Sequence, residues 1–448
     1  MRILLITLYY HPDRGGTPGV YKDLCESLQA AGHDVTVVTG FPRYNIKSID
    51  RRYRWRLWLT ERIGGVRVKR VRTLRLPRCF PAARALDYVL TALSLFVLAL
   101  FTAKADAAIV HAPALFEGVA APILRRLKNM PYVLNVHDIF PQTAIDLGIL
   151  TNRRAIHFFE WLERYIYARA DCVTVHSEGN KKWILHRHEA VKRVEVMPIW
   201  MNPDVLKPGP RENPWRCNQG LDGKFTVMFS GSQGYNQDMR VILDAANHLQ
   251  SEGNIEFVLI GDGTQHDEMA RLSKDMGLNN VRWLDWQPEE VYPMVLQSAD
   301  VVLATLREEV KTPVVPSKVL SAMAAGRPVI TCAPLTGDAP KLVKHANAGF
   351  TINPGDHEGL AAAIRNLAID PHLGQQFGKS ARCYVEEHLD VRKWAEAHVA
   401  LFSELIASRE GAEVPELASS VQSKESSTQR VRPIGLVQHA GRLDGTRE

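Results

Sequence analysis

The sequence predicts an α/β protein: two Rossmann-like, doubly wound parallel-sheet domains that face each other across a cleft. Three observations predict it. Short β-branched and aliphatic runs alternate with helix-length amphipathic segments, and the alternation restarts halfway along the chain. Between the two halves lies the proline-rich stretch "MPIWMNPDVLKPGPRENP" (197–214), which reads as an interdomain linker. Glycines and small polar residues follow several of the strands, and open α/β sheets bind ligands beyond the carboxyl ends of their strands.

In the first half the pattern gives a strand at 3–8, a loop with Gly15 and Gly16, a helix over 17–31 and a strand at 35–39. "GGVRVKRVRT" alternates apolar and basic residues and reads as one half-exposed strand. Strands follow at 108–110, 132–136 and 172–175, with helices at 115–127 and 155–168 between them. The second half has strands at 225–229, 255–260, 281–284 and 301–304. Its loops are "SGSQG", with Gly231 and Ser232, and "GDG", with Gly261 and Gly263. An amphipathic helix over 392–406 closes the folded part. The expected domains are 1–200, a linker at 201–222, 223–385, a C-terminal helix at 386–410, and a polar tail at 411–448. The tail cannot build a core and is expected to be disordered.

The chain has 448 residues and a formal net charge of +6. Residues 42–81 hold thirteen Lys/Arg against Asp50 and Glu61, so the rest of the chain is net negative. A basic block in an acidic background points to an anionic partner surface, either lipid or nucleic acid. Its neighbour, 85–103, is the most apolar segment. From Val89 its unbroken part is too short to span a bilayer. It reads as a buried helix or as a monotopic helix dipping into lipid. Six scattered cysteines without a C-x-x-C pair fit a reducing compartment and no zinc knuckle. "HRH" (His186 to His188) has poor metal-ligand spacing and reads as a surface cluster. No P-loop, G-x-S-x-G elbow or D-x-D motif occurs, and without the last of these a bound diphosphate must be held by helix N-termini and cations.

"VVPSKVLSAMAAGRPVI" (314–330) reads as loop, helix and strand, with Ser317 able to cap the helix. Lys318 then stands in the first turn, where the helix dipole disfavours a cation. Either it is a solvated lysine, or an anion shares the site.

Taken in order, these segments resemble the GT-B glycosyltransferases of family 4 over about residues 1–405. "YYHPDRGGTPGVYKDLCESLQAAGHDVTVVTG" is similar to the family's opening signature. "NVHDIFPQTAIDLG" and "VMPIWMNPDVLKP" resemble a subgroup of bacterial O-antigen and exopolysaccharide transferases of fucosyl or fucosaminyl type. "FVLIGDG", "VRWLDWQPEEVYPMVLQSADVVLATL" and "PSKVLSAMAAGRPVI" resemble the donor-binding half. The resemblance implies a GT-B fold with an N-terminal acceptor domain and a C-terminal donor domain. It implies a retaining, metal-free transfer from a nucleotide-sugar, preferably UDP-linked, to a lipid-linked or glycan acceptor.

The same resemblance assigns candidate residues. Ser317 and Lys318 would grip the donor diphosphate, with Gly15, Gly16, Gly231 and Ser232 letting backbone approach it. His137 and Asp138 would face the sugar and the acceptor, with His111 a weaker candidate. Gly261 and Gly263 would admit the base or ribose, and Trp286 and Gln287 would line the base pocket. Ser321 and Pro313 replace a glutamate pair that many relatives carry, which makes Glu308 and Glu309 the nearby acidic candidates. The loop after the first donor-domain strand has no cation before Arg240, which shifts phosphate charge onto Lys318. Cofactors are expected to be none, with nucleic acid no partner. A cytoplasmic enzyme is expected, held on the inner membrane face by the basic block and the apolar helix. A nucleotide-sugar epimerase and a non-enzymatic membrane or RNA scaffold remain alternatives.

Overall fold

The computed structural model of the chain describes residues 1–13, 15–43, 50–53, 55–73, 81–111 and 115–410. The tail at 411–448 therefore lies outside the described residues. The strand signals gather into two sheets within one compact unit, Met1–Ile406.

The first sheet comprises β1 (Arg2–Ile6), β2 (Asp34–Gly40), β3 (Trp58–Ile63), β4 (Val66–Val71), β5 (Ala107–His111), β6 (Tyr132–Val136), β7 (Cys172–Val175) and β8 (Val194–Val196). Its order is β3-β4-β2-β1-β5-β6-β7-β8, and β3–β4 is its one antiparallel pair. Ile6 is level with Val38 on one side and Val110 on the other, so the central strands end together. Helix α1 (Gly16–Ala30) covers one face through Val20, Tyr21, Leu24 and Leu28. The other face takes α2 (Pro81–Leu100), α3 (Phe116–Lys128), α5 (Arg153–Tyr167) and α6 (Glu178–Arg187), while the short α4 (Gln142–Asp146) follows β6 and buries no residue. Right-handed crossovers in opposite directions from β1 put the helices on opposite faces. Each fully buried leucine adds about 1.5–3 kcal/mol of transfer free energy.

The second sheet comprises β9 (Phe225–Ser230), β10 (Ile255–Ile260), β11 (Val281–Leu284), β12 (Val301–Thr305), β13 (Val329–Cys332) and β14 (Gly349–Ile352), in the order β11-β10-β9-β12-β13-β14. Its helices are α7 (Pro214–Asn218), α8 (Arg240–His248), α9 (His266–Asp275), α10 (Tyr292–Gln297), α11 (Ser317–Ala324), α12 (Asp338–His345), α13 (His357–Ile369) and α14 (Pro371–Tyr384). Helix α15 (Val391–Glu410) follows. It returns to the first domain, where Glu404 accepts from Arg193 at 2.8 Å and the His398 ring packs 5.2 Å from Trp200. Trp200 donates to the Val20 carbonyl at 2.7 Å, which ties the linker to α1.

Several expectations change. The basic alternating run is one half-exposed strand, β4, as expected, and Gly64 and Gly65 turn the chain into it from β3, an edge strand not expected from the sequence. The basic block is partly internal. Arg70 is fully buried and bonds Glu61 and the Gly40 and His11 carbonyls, and Arg43 pairs with buried Asp87 at 3.2 Å. Arg51, Arg52 and Arg56 are exposed, and Arg54 lies outside the described residues. The apolar segment is neither wholly buried nor wholly free. Helix α2 buries Thr91, Leu95 and Ala99 and exposes Leu93 and Val97. Among the described residues no helix is long and apolar enough to cross a membrane. "HRH" is not all surface, since His188 is buried 3.5 Å from Glu163.

Candidate functional site

Both sheets direct their carboxyl ends at each other, and the loops there touch. The Thr143 and Thr312 hydroxyls lie 3.2 Å apart, Ser177 donates to the Asp338 carboxylate, and His11 stands 3.4 Å from Glu289. A further approach joins the two helix starts led by Gly16 and Ser317. A β-carbon on Gly16, at the start of α1, would sit 2.7 Å from Ser317 Oγ at the start of α11. Any side chain there must push the Ser317 hydroxymethyl aside. Gly16 of one domain thus meets Ser317 of the other, about three hundred residues apart in the chain.

The start of α11 corrects two expectations. Pro316, not Ser317, is its N-cap, with φ −61° and ψ 134°, and no side chain caps the helix. Ser317 Oγ is therefore uncommitted to its own helix. Lys318 is not a solvated lysine. It is buried, its Nζ donates to Gln237 Oε1 at 2.8 Å and lies 3.5 Å from the centre of the Phe229 ring. Burial holds its ammonium well below the usual lysine range. Its carbon chain passes directly beneath Gly231, at 3.4 Å from where a β-carbon would be.

The glycine loops of the donor half have a packing reason of their own. A β-carbon on Gly261 would strike the Gly231 carbonyl, and one on Gly263 would come within 2.6 Å of the Gln233 backbone. These glycines let the β9 and β10 loops pack on each other, and a bound base need not be invoked. Ser232 is exposed at this rim. Gln287 follows β11 but its amide is already engaged, accepting from Trp215 Nε1 at 3.0 Å and donating to the Asp285 carbonyl at 2.9 Å. Trp286 beside it is half-buried. Ser321 is buried on α11. Glu308 and Glu309 are exposed after β12. Glu308 lines a cavity of about 260 Å³ with Lys311, Thr312 and Thr336.

Sequence reasoning missed Arg307. Its guanidinium donates to the Gln237 carbonyl at 3.4 Å and to Gln265 Oε1 at 2.9 Å. Gln237 therefore carries both Lys318 and Arg307. Arg240, the cation expected next along the chain, instead pairs with Asp244 at 2.8 Å on the exposed side of α8.

On the acceptor half, three strands end in histidine: His111 closes β5, His137 follows β6 and His176 follows β7. Their rings form a continuous edge-to-face stack, 4.6 Å from His111 to His137 and 4.2 Å from His137 to His176. Tyr21 lies beneath, 5.0 and 5.3 Å from the first two rings, and donates to Asn135 at 2.6 Å. Two tautomers follow from the partners. The Thr7 hydroxyl donates its one proton to the Tyr9 carbonyl at 3.1 Å, so it accepts from His111 Nδ1 at 3.2 Å. His176 Nδ1 donates to the Met197 carbonyl at 3.1 Å. Their Nε2 atoms are bare lone pairs, buried and without partners among the described residues, and His137 Nε2 is likewise buried and without a partner among them. Desolvation depresses all three, His111 to about 3 and His176 to about 4. The stack stays neutral at pH 7. Asp138 projects next to it, solvent-accessible but crowded enough that desolvation raises its carboxyl above the ordinary value. The pattern of one histidine per strand end was visible in the sequence for all three, yet only alignment of the strands stacks them.

The site thus offers helix N–H groups, a buried ammonium and a guanidinium on one wall, and neutral imidazoles with a carboxyl on the other. The first suits a diphosphate and the second a polyhydroxylated group.

Comparison with known proteins identifies the family and the fold. Residues 15–200 match the glycosyl transferase 4-like domain and residues 224–370 match the glycosyl transferases group 1. A colanic acid biosynthesis glycosyl transferase, WcaI of Escherichia coli, is 24% identical over 404 residues, 87% of this chain and 97% of that one. Among solved structures, sucrose-phosphate synthase of Thermosynechococcus elongatus superposes with a TM-score of 0.70 at 18% identity, over 91% of this chain and 99% of that one. HepE of Anabaena, crystallised with UDP-glucose, superposes with a TM-score of 0.66 at 18% identity, over 90% of this chain and 100% of that one. Such identities carry the fold, which is GT-B. With both domain families matched in order, the chain belongs to the group 1, family 4-like glycosyltransferases and is a glycosyltransferase enzyme.

Proposed function

We propose that the chain transfers a hexosyl unit from a nucleotide-sugar, UDP-linked by preference, to a lipid-linked or glycan acceptor during assembly of a bacterial cell-surface polysaccharide. The observation that carries this reading is the meeting of Gly16 with Ser317 above the buried Lys318. The colanic acid relative supports the polysaccharide class, and the UDP-glucose complex of HepE supports the donor class.

The leaving diphosphate is held at the start of α11 by backbone N–H groups, Ser317 Oγ, Lys318 and Arg307. These oriented charges stabilise the negative charge that builds on it as the sugar bond breaks. No metal ion is needed for that work, since two cations already flank Gln237. The bare Nε2 of His137 accepts from a sugar hydroxyl, and Asp138 orients the acceptor hydroxyl. The departing phosphate takes the acceptor proton and the acceptor enters on the face it vacates, which retains the anomeric configuration. In this reading the enzyme works on the cytoplasmic face of the membrane, where a lipid-linked acceptor lies.

The test is a melting-temperature panel of UDP, GDP, CDP and their common sugars, in the presence and absence of a chelator. A ligand that binds only the folded form raises Tm. UDP species should do so with chelator present, and Lys318→Ala should abolish the rise. No rise with any nucleotide overturns the reading, and a rise only with added divalent ion overturns its metal-free part.

A further inference from the structure

Helices α2, α3 and α5 cover one face of the first sheet side by side, in the order of the strands they connect. Their inner sides supply Leu95, Ala99, Ala121, Leu124, Leu162 and Ile166 to the core. Their outer sides are apolar as well. On α2 and the residue after it, Leu86, Val89, Leu93, Val97 and Phe101 are exposed and recur every three or four residues, which aligns them in one stripe. Phe101 is 80% exposed. On α5, Phe158 and Trp161 are exposed, Trp161 packs 5.7 Å from Tyr165, and the Arg169 guanidinium lies 3.7 Å over the Tyr165 ring. Between them α3 exposes Ile123 and Leu127. Folding has already used the inner stripe, so nothing in the domain's own core explains the outer one. A soluble surface rarely keeps so much contiguous apolar area without a partner.

The charges on this layer are one-sided. Exposed cations are Arg126 on α3, Arg153, Arg154 and Arg164 on α5, and Lys104 and Arg169 just beyond the helix ends, where the half-buried Asp106 and Asp171 are already paired with Arg2 and Arg125. Of the acids on the three helices, Asp87, Glu117 and Glu163 are buried, which leaves Glu160 as the one partly exposed. An apolar face with aromatic residues and a cationic border matches the interfacial zone of an anionic bilayer. The side chains enter the acyl boundary, and the guanidinium groups meet the headgroups.

We propose that the outer face of the α2–α3–α5 layer docks on a bilayer leaflet carrying anionic lipid. The proposal rests on the lipid-linked acceptor reading for its purpose and on the surface alone for its geometry. It moves the contact from the basic block at 42–81, whose Arg43 and Arg70 are internal, to a helical layer the sequence did not single out beyond α2.

The test is co-sedimentation of the full chain, without donor or acceptor, with vesicles of equal parts phosphatidylglycerol and phosphatidylcholine and with phosphatidylcholine alone. Wild type should pellet with the anionic vesicles and do so less at about 1 M salt, where the Debye length falls to about 3 Å. Leu93→Ser/Val97→Ser/Phe101→Ser and Phe158→Ser/Trp161→Ser should each lower partitioning by about tenfold or more with an unchanged melting temperature. Arg153→Ser/Arg154→Ser/Arg164→Ser should erase the preference for anionic vesicles. Failure of wild type to pellet, or apolar variants that pellet as wild type does, overturns the proposal. A wild-type dimer that the apolar variants convert to monomer overturns it in favour of self-association. Because no substrate is present, either result leaves the transfer reading standing. Failure of every nucleotide and nucleotide-sugar to raise the melting temperature would sink that reading and leave the docking surface intact.

Discussion

A β-carbon on Gly16 would stand 2.7 Å from Ser317 Oγ and 3.1 Å from Ser317 Cβ, so the first residue of α1 touches the first residue of α11. Each helix start directs free N–H groups toward this contact. The contact thus brings two helix N-termini, each the positive end of a helix dipole, to one place.

Gly16→Ala tests that contact. Gly16 is exposed and its neighbour is a rotatable hydroxymethyl, so the melting temperature should move by no more than ~2–4 °C. Nucleotide affinity, measured by calorimetry with UDP, should fall as the new methyl pushes Ser317 away. Ser317→Gly removes both contacting atoms, so Gly16→Ala should cost less in that background, with a coupling of about 0.5 kcal/mol or more. Additive losses would show that the two residues act independently.

Lys318→Met should separate binding from stability. The sequence led us to expect a surface lysine whose loss the fold would not notice. Buried over Phe229, it instead carries a desolvation cost. Methionine keeps the volume and sheds that cost, so stability at pH 7 should hold or rise, while UDP binding falls roughly 10- to 150-fold for a charge-assisted bond worth ~1.5–3 kcal/mol. The sign of the pH effect is fixed. With its folded pKa depressed below 10.5, the unfolded chain binds more protons between the two values, and wild type should gain stability over Lys318→Met as pH rises through that window. Denaturant melts at several alkaline pH values would expose an opposite or absent trend.

The histidine stack predicts acid sensitivity. His111 and His176 titrate at about 3 and 4 in the folded chain, against 6.5 unfolded. The unfolded chain therefore binds protons first, and stability should be complete above pH 6.5 and fall as pH drops toward 4 and 3. Every tenfold loss of proton affinity on folding corresponds to about 1.4 kcal/mol. His176→Gln should flatten the slope of denaturant stability against pH. A slope unchanged in that variant would remove His176 from the effect.

Arg382→Met tests the brace on the linker. Its guanidinium donates to the Leu206 and Ala324 carbonyls at 2.8 Å and to Pro203 at 3.0 Å. Losing it should cost about 1–3 kcal/mol, since carbonyls are left without partners, and Arg382→Lys should recover part of this. A denaturation midpoint equal to wild type in Arg382→Met would show that water replaces the bonds without loss.

The sequence by itself determined what local chemistry determines. Period-two and period-3.6 patterns placed β1, β6, β10 and β12 within a residue or two, and Gly15, Gly231 and Gly261 marked loops at strand ends, because backbone conformation is chosen by near neighbours. It missed β3 because a hairpin edge strand of Trp, Thr, Arg and Glu has little alternation of its own and is defined by pairing with β4. Tertiary structure alone decided the rest. Lys318 is buried because Phe229 and Gln237 arrive from β9 and the loop after it, some eighty residues away. The three histidines stack because β5, β6 and β7 are neighbours in the sheet, not in the chain. Arg307 joins Lys318 only through Gln237. Which stripe of α2 faces solvent is set by the sheet it packs on, since both of its faces are apolar and periodicity cannot choose between them.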